Sequence, residues 1–127
     1  MTLLEHELYR RVQLPELMNQ NWTRAEANEL APNLTAVISH FNRVSQWIQT
    51  TILRHVDVKL RAKIITHFVE IARYLAELKN YDGVMQFCAA FQSASVSRLK
   101  RTWAVRCTRC VLASLSHNHC SCNRKQQ

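Results

Sequence analysis

The chain has 127 residues, of which 47% are hydrophobic and 20% are charged, a composition typical of one globular domain. Gly83 is the only glycine, although an average chain of this length carries about nine. The sequence therefore excludes glycine-rich phosphate loops and dinucleotide-binding fingerprints, and its two prolines argue against a turn-rich β-sandwich or barrel.

The net charge of +8 is concentrated in the C-terminal third of the chain. Residues 1–82 hold ten Lys or Arg and nine acids, whereas residues 83–127 hold seven Lys or Arg and no acid. Such an asymmetry marks either a basic functional segment or a different end joined to an ordinary domain.

The first residues lack the basic and apolar segments of a signal peptide, and no apolar stretch reaches the ~18 residues of a membrane span. We therefore expect a cytoplasmic, reducing location, in which the five cysteines are thiols or metal ligands rather than disulfides.

The N-terminal third predicts short helices. Thr2 and Glu5 have capping-box spacing, and apolar residues recur at helical intervals, which predicts a helix over residues 2–12. Pro15 suits the start of a short helical turn. Residues 19–29 are polar and predict a connection that is partly helical.

Longer helices follow. An apolar stripe from Leu34 to Ile52, with a proline just before it, predicts a five-turn helix. Asp57 can cap the next helix, which is expected to run to Lys79 and to be covered on more than one side. Its inward stripe is predicted to consist of Leu60, Ile64, Phe68, Ile71, Ala72, Leu75 and Leu78.

The turn signal Asn80-Tyr81-Asp82-Gly83 precedes a predicted helix over residues 84–93, with Met85, Cys88, Ala89 and Phe91 facing inward. A serine-rich break and a basic helical segment over residues 96–103 complete the pattern. The predicted fold is therefore all-α, an orthogonally packed or bundle-like array of helices.

Residues 104–127 differ from this pattern, since they contain four of the five cysteines and no acid, and we expect an irregular, disordered tail. Cys107, Cys110, His117 and Cys120 could enclose a tetrahedral zinc ion. Only the first pair has the spacing of a zinc knuckle, so we favour a tail without a bound metal.

Other candidate residues point to structural roles. Cys88 lies on an apolar helical face, where a small buried hydrophobe is expected, and His67 with Glu70 predicts a solvated contact. His40 and His55 show no partner spacing. No hydrolase triad or paired-carboxylate site is present in the sequence.

Six sequence motifs occur in a definite order over residues 2–103. They are Thr2-Leu3-Leu4-Glu5-x-x-Leu8-Tyr9, Ala31-Pro32-Asn33-Leu34, Phe41-Asn42-Arg43-Val44-Ser45-x-Trp47, Arg61-Ala62-x-Ile64-Ile65-x-x-Phe68-Val69-x-Ile71-Ala72, Leu78-Lys79-Asn80-Tyr81-Asp82-Gly83-Val84-Met85 and Ser93-Ala94-Ser95-Val96-Ser97-Arg98-Leu99-Lys100-Arg101-Thr102-Trp103. In this order they resemble the catalytic domain of Ras-family guanine-nucleotide exchange factors, the group that includes son of sevenless and the Ral and Rap exchange factors.

The resemblance implies an all-helical bowl that binds the switch II region of a Ras-, Ral- or Rap-type small GTPase. In that family a helical hairpin is pushed against switch I, so that magnesium and nucleotide leave. The exchange factor makes or breaks no covalent bond, and it uses no cofactor. By motif position, the GTPase-facing residues implied here are Thr35, Ser39, Met85, Gln92, Ser97 and Lys100.

The resemblance covers residues 1–103 and implies a partial exchange-factor domain, because the hairpin is expected beyond Trp103. We expect this chain to bind a GTPase poorly and to lack exchange activity, to need no nucleic acid, and to approach membranes only through the GTPase. The missing helices should leave apolar flanks of residues 57–79 uncovered.

A second hypothesis is a small zinc-binding or basic nucleic-acid adaptor that uses residues 98–122. In that case the cluster Arg98-Leu99-Lys100-Arg101 would face phosphate. A solvated helix end or a protein-contact edge is the simpler interpretation of so short a cluster.

Overall fold

The computed structural model describes residues 1–104 as a succession of helices, with no strand in that range. The bounds are α1 Thr2–Arg11, α2 Leu14–Leu17, a 3-10 segment Met18–Thr23, α3 Ala27–Leu30, α4 Pro32–Leu53, α5 Val58–Glu77, α6 Tyr81–Gln92, α7 Ala94–Ser97 and α8 Lys100–Ala104. The expected all-α architecture is confirmed for this part of the chain.

The chain divides into two compact units, Met1–Val44 and a second that begins at Ser45, and the boundary lies within α4. In the first unit the buried side chains include two carboxylates, Glu5 and Glu16, beside Ala31 and Val37. Glu16 fixes α2 against the first turn of α4, because its carboxylate accepts hydrogen bonds from both Asn33 Nδ2 at 2.8 Å and the backbone N–H of Leu34 at 2.9 Å.

The second unit contains most of the apolar core. α5 packs against both α6 and α8, and α6 packs against α7. The buried apolar side chains of this unit are Ile48, Ile52, Ala62, Ile65, Phe68, Val69, Ala72, Leu75, Val84, Phe87, Ala90, Phe91 and Val96. Burial of this set on several sides of α5 agrees with its predicted central position.

Five rings form an aromatic row through the second unit, in the order Trp47, Phe68, Phe87, Phe91 and Trp103. Successive ring centroids lie 5.7, 5.7, 6.3 and 6.1 Å apart. These separations suit tilted and edge-to-face aromatic contacts. The row joins α4, α5, α6 and α8.

Helix starts follow their capping residues. Asp57 accepts a hydrogen bond from the Lys59 backbone N–H at 3.0 Å, as the sequence predicts. Asn80 accepts one from the Gly83 backbone N–H at 2.9 Å, so α6 begins at Tyr81. The predicted turn at Asn80-Tyr81-Asp82-Gly83 is therefore the N-cap and first turn of a helix, since Asn and Asp favour both settings.

The capping box predicted at Thr2 and Glu5 is not the start of α1, whose N-cap is Met1. A carboxylate that reaches back to its N-cap occurs instead in α2, where Gln13 N–H donates to Glu16 Oε1 at 3.3 Å. Glu5 is buried, and its carboxylate faces the side chain of His40.

α5 ends at Glu77, two residues before the predicted end. Lys79 has a positive φ of 60°, and the backbone N–H groups of Lys79 and Asn80 donate to the carbonyls of Ala76 and Leu75 at 3.0 and 2.9 Å. This is a Schellman ending with lysine at the position where glycine is commonest, so the residue type at position 79 does not mark the end of the helix.

Two of the predicted inward stripes are partly wrong. On α5, Leu60 and Leu78 are exposed, whereas Ala62, Ile65 and Val69 are almost completely buried. On α6, Met85 is 57% exposed, and Gln86 and Phe87 occupy the interior instead. Phe87 packs between the rings of Phe68 and Phe91. The buried face of α6 therefore follows Val84, Phe87 and Phe91, and Met85 faces away from it.

None of the helices in residues 1–104 combines the length and the apolar character that crossing a membrane requires.

Candidate functional site

The first unit contains two of the six predicted site residues, both on α4. Thr35 is half-buried, and its Oγ1 donates to the carbonyl of Ala27 at 3.4 Å. Ser39 is exposed one turn later, and four-residue spacing places it on the same face of α4. This face therefore offers one free hydroxyl-bearing side chain and a second that is held by α3.

The second unit contains the other four. Met85 and Gln92 are exposed on α6, and their seven-residue spacing puts them on one face of the helix, two turns apart. Ser97 ends α7 and Lys100 begins α8, and both side chains are exposed. All four thus lie on solvent-facing surface of the second unit.

The joint between α7 and α8, residues 98–99, is fixed by buried and half-buried groups on either side of it. Trp103 Nε1 donates to the carbonyl of Val96 at 2.9 Å, and the Trp103 ring stands edge-on against Phe91. Thr102 is buried, and its Oγ1 accepts a hydrogen bond from Arg61 Nε at 3.2 Å. These contacts hold the residues on either side of Ser97 and Lys100.

Arg61 also joins the α4–α5 connection to this joint. Its Nη1 donates a hydrogen bond to the carbonyl of His55 at 3.2 Å, while its Nε donates one to Thr102 Oγ1 on α8. A planar guanidinium with several donors can satisfy two such acceptors in fixed directions. Two of the six motifs contain these residues, Arg61 in one and Thr102 with Trp103 in the other. No spacing rule predicts the hydrogen bond between Arg61 and Thr102.

The other residues that the sequence analysis considered for chemistry, His67, Glu70 and Cys88, form no catalytic site. His67 Nδ1 lies 3.9 Å from Glu70 Oε2, and both side chains are exposed, as predicted for a solvated contact. Cys88 is half-buried, and burial raises the pKa of its thiol, which favours the protonated, weakly nucleophilic form.

His40 has a partner that sequence spacing could not reveal, because Glu5 lies 35 positions away. Its Nε2 is 3.8 Å from Glu5 Oε1, within the first unit. Within residues 1–104, no three His, Cys, Asp or Glu side chains converge as metal ligands would. The zinc candidates Cys107, Cys110, His117 and Cys120 lie outside the described residues.

Taken together, the exposed residues suit protein contact rather than bond-making chemistry. Met85 presents an apolar side chain, and Gln92, Ser97 and Lys100 present groups that donate hydrogen bonds. Such a mixture of apolar and polar side chains is compatible with a protein-binding surface, although ordinary protein surface has a similar composition.

Comparison with known proteins gives one consistent family. The model of the RasGEF domain matches residues 1–125. The chain is 42% identical over 102 residues to Ras guanine nucleotide exchange factor A of Dictyostelium discoideum, which covers 80% of this chain and 17% of that protein. It is 40% identical over 104 residues to the Ras-specific guanine nucleotide-releasing factor RalGPS1 of Mus musculus, covering 82% of this chain and 18% of that protein.

The chain therefore spans less than a fifth of the length of these two relatives. The domain match extends beyond Trp103 to residue 125, whereas these pairwise matches cover 102 and 104 residues. The boundary between residues 103 and 104 stays a prediction.

Proposed function

Since the chain belongs to the RasGEF domain family, we propose that it acts in guanine-nucleotide exchange by binding a Ras-family small GTPase. The observation that carries the proposal is the match to this domain along almost the whole chain. The names of the matched relatives describe exchange or release factors for Ras-type proteins.

The proposed contact surface consists of Thr35, Ser39, Met85, Gln92, Ser97 and Lys100, on the switch II side of the GTPase. The exposure of five of these six side chains supports the assignment, since a contact residue must be reachable by a partner. The exposure of Met85 is informative, because a large apolar side chain gains most from being covered.

Exchange of this kind is a change in populations and not a bond-making reaction. A factor that binds the nucleotide-free GTPase more tightly than the loaded form weakens nucleotide binding by the same free energy. A regulatory protein of this class therefore needs no acid–base pair.

We infer further that the 127-residue chain binds the GTPase without accelerating nucleotide release. The family resemblance places the hairpin that is pushed against switch I after the last matched motif, beyond Trp103. Residues 1–104 contain the motifs assigned to the switch II side. Binding and exchange should therefore separate in this chain.

The test measures both properties on the same preparation. The chain is incubated with nucleotide-free Ras, Ral and Rap proteins in a pull-down, and release of a fluorescent guanine nucleotide from each is followed in parallel. We expect capture of at least one GTPase and release at its intrinsic rate. Absence of capture would contradict the proposed function, whereas accelerated release would contradict only the inferred lack of exchange activity.

Met85→Ala should weaken the capture about tenfold, as loss of a buried apolar anchor does. Val56→Ala is the matched control, because Val56 is an exposed apolar residue outside the proposed surface. Equal effects of the two substitutions would argue against the assigned surface.

The location proposed for this activity is the cytoplasm, with membrane proximity arising through the bound GTPase. Imaging of a fluorescently tagged chain, with and without co-expression of the captured GTPase, tests this placement. A membrane signal that does not depend on the GTPase would contradict it.

A further inference from the structure

The second unit carries an edge of positive charge that no carboxylate of the described residues neutralises. We define this cationic edge as Arg98, Lys100 and Arg101, which lie at the joint between α7 and α8 with exposed side chains. No Asp or Glu occurs between Gly83 and Ala104. None of the ion pairs found within residues 1–104 involves these three cations.

Two other exposed cations of residues 1–104 are paired with a carboxylate. Arg10 lies 3.5 Å from Glu7, and Arg73 lies 3.8 Å from Glu77, each on its own helix. The rest, Lys63 and Lys79 among them, have no ion pair either, so the cationic edge differs from these by its three cations within four residues and by the lack of an acid nearby in sequence. Like charges placed within four residues of one another repel, so the cationic edge is held together at a cost in folding free energy. A partner that supplies negative charge would remove that repulsion.

The backbone that carries the cationic edge is fixed before any partner binds. Val96 and Thr102 are almost completely buried, on either side of the edge. Trp103 Nε1 donates a hydrogen bond to the Val96 carbonyl at 2.9 Å, and Arg61 Nε donates one to Thr102 Oγ1 at 3.2 Å. A partner therefore meets charges on an ordered backbone, which lowers the entropy lost on association.

We propose that the cationic edge recognises a patch of carboxylate side chains on the GTPase and sets the rate at which the two proteins associate. This inference rests on the proposed function, because Lys100 belongs to both the edge and the proposed contact surface, and Ser97 adjoins Arg98. Complementary charges at the margin of an interface chiefly accelerate encounter, and they do so less as salt concentration rises.

A carboxylate patch on a protein suits the edge better than an anionic membrane. Membrane binding through basic residues draws on clusters of about four to eight Lys or Arg, or on a second anchor. The edge itself has three, and it adjoins exposed residues assigned to a protein contact, while Arg106 and Arg109 follow in the sequence outside the described residues. Anionic lipid is therefore the competing ligand that the experiment must exclude.

The test uses the full chain and a GTPase that the wild-type chain captures. Association and dissociation rates are measured at low and at physiological salt for the wild type and for the double variant Lys100→Glu, Arg101→Glu. The control is Lys63→Glu with Lys79→Glu, which makes the same change in net charge at two exposed lysines outside the edge. Circular dichroism verifies that each variant retains its helical content.

We expect the double variant to lower the association rate constant at low salt about tenfold or more, and to reduce its salt dependence. The dissociation rate constant should change less, and the control variant should stay within about threefold of the wild type. Vesicles of equal parts phosphatidylcholine and phosphatidylserine should bind the wild type and the double variant equally weakly.

Three results would overturn the inference while leaving the proposed function intact. These are wild-type association that does not depend on salt, equal losses in the edge and control variants, and vesicle binding that the double variant abolishes. If the wild-type chain captures no GTPase, the proposed function fails together with the inference.

Discussion

Glu16 is the side chain that ties together two helices of the first unit. Its carboxylate is almost fully buried, and it accepts hydrogen bonds from Asn33 Nδ2 and from the backbone N–H groups of Leu34 and Gln13. Carboxylates are favourable at helix N-termini because unpaired N–H groups and the helix dipole meet there. Glu16 thus acts as a cap for α4 that is supplied from α2.

The hydrogen bond from Asn33, together with the backbone N–H groups, lowers the pKa of Glu16 below its ordinary value. A carboxyl group with a lowered pKa stabilises the folded state above its unfolded-state pKa, and this stabilisation is lost as pH falls through the folded-state pKa. Glu16→Gln should therefore lower the Tm at neutral pH, and the difference from wild type should shrink as the pH falls below about 4.

Thermal melts followed by circular dichroism between neutral and acidic pH measure this difference. Glu29→Gln is the matched control, because Glu29 belongs to the same unit and its side chain is exposed. A Tm difference for Glu16→Gln that stays constant with pH would show that lost packing, and not the charge, causes the destabilisation.

Single residues also show what the sequence could and could not reveal. Asp57 is the N-cap that its residue type predicted, whereas Asn80, predicted as part of a turn, is the N-cap of α6. Gln86 is completely buried, although amides are usually exposed, and its Nε2 donates to Asp82 Oδ2 at 2.9 Å. Hydropathy cannot predict this burial, since it depends on a partner one helical turn away.

At the scale of helices, α8 is short, and it depends on tertiary contacts for its position. Five residues are too few to form a stable helix alone. The indole N–H of Trp103 bonds to the Val96 carbonyl, and the ring packs edge-on against Phe91. One side chain therefore connects α8 to both α7 and α6.

Trp103→Phe keeps an aromatic ring but removes the indole donor and part of the buried surface. We expect the free energy of unfolding to fall by about 1–2 kcal/mol, because the Val96 carbonyl retains only its bond from Leu99 N–H. Urea denaturation followed by circular dichroism measures this loss.

Trp47→Phe makes the same chemical change at the other end of the aromatic row. Trp47 is 57% exposed, so the expected loss is about 0.5 kcal/mol or less. Equal losses at the two positions would mean that the bond to Val96 contributes nothing to the stability of the joint.

The order and type of the helices could be predicted because their starts carry strong signals, such as Pro32 at the first position of α4 and Asp57 just before α5. The ends were less predictable. Lys79 occupies the left-handed position after α5, where its side chain gives no local signal. The division of the last basic segment into α7 and α8 follows from contacts with α5 and α6, which no local pattern contains.

The proposed contact residues were predicted only through motif order, and their assignment stays a prediction. Resemblance to a family singled out Met85, Gln92, Ser97 and Lys100, and their exposure is compatible with contact. Periodicity alone placed Met85 in the interior, where it does not lie. The supporting residues Arg61 and Trp103 needed coordinates, because each acts on a residue of another helix.

At the scale of the whole molecule, several large apolar side chains remain uncovered. Tyr74 and Leu78 are 56% and 66% exposed, and four-residue spacing places Leu78, the C-cap of α5, beside Tyr74 on that helix. Uncovered apolar flanks were expected over residues 57–79. Exposed apolar residues that adjoin one another favour association with other proteins or with copies of the same chain.

We expect the chain to self-associate at high concentration, and the double variant Tyr74→Ser, Leu78→Ser to do so less while its Tm stays nearly unchanged. Sedimentation velocity over a range of concentrations measures the association. Val56→Ser is the control, since Val56 is 90% exposed in the connection between α4 and α5. A wild-type chain that stays monomeric at every concentration would refute this expectation.

The aromatic row has a consequence for how the second unit is made on the ribosome. Its five rings contact one another in the same order in which they are synthesised, from Trp47 to Trp103. Each newly emerged helix that bears a ring therefore finds its aromatic partner already present, and none has to wait for a distant segment. Such sequential docking keeps contacts local, which speeds folding and shortens the time that nascent apolar surface stays open to misassembly.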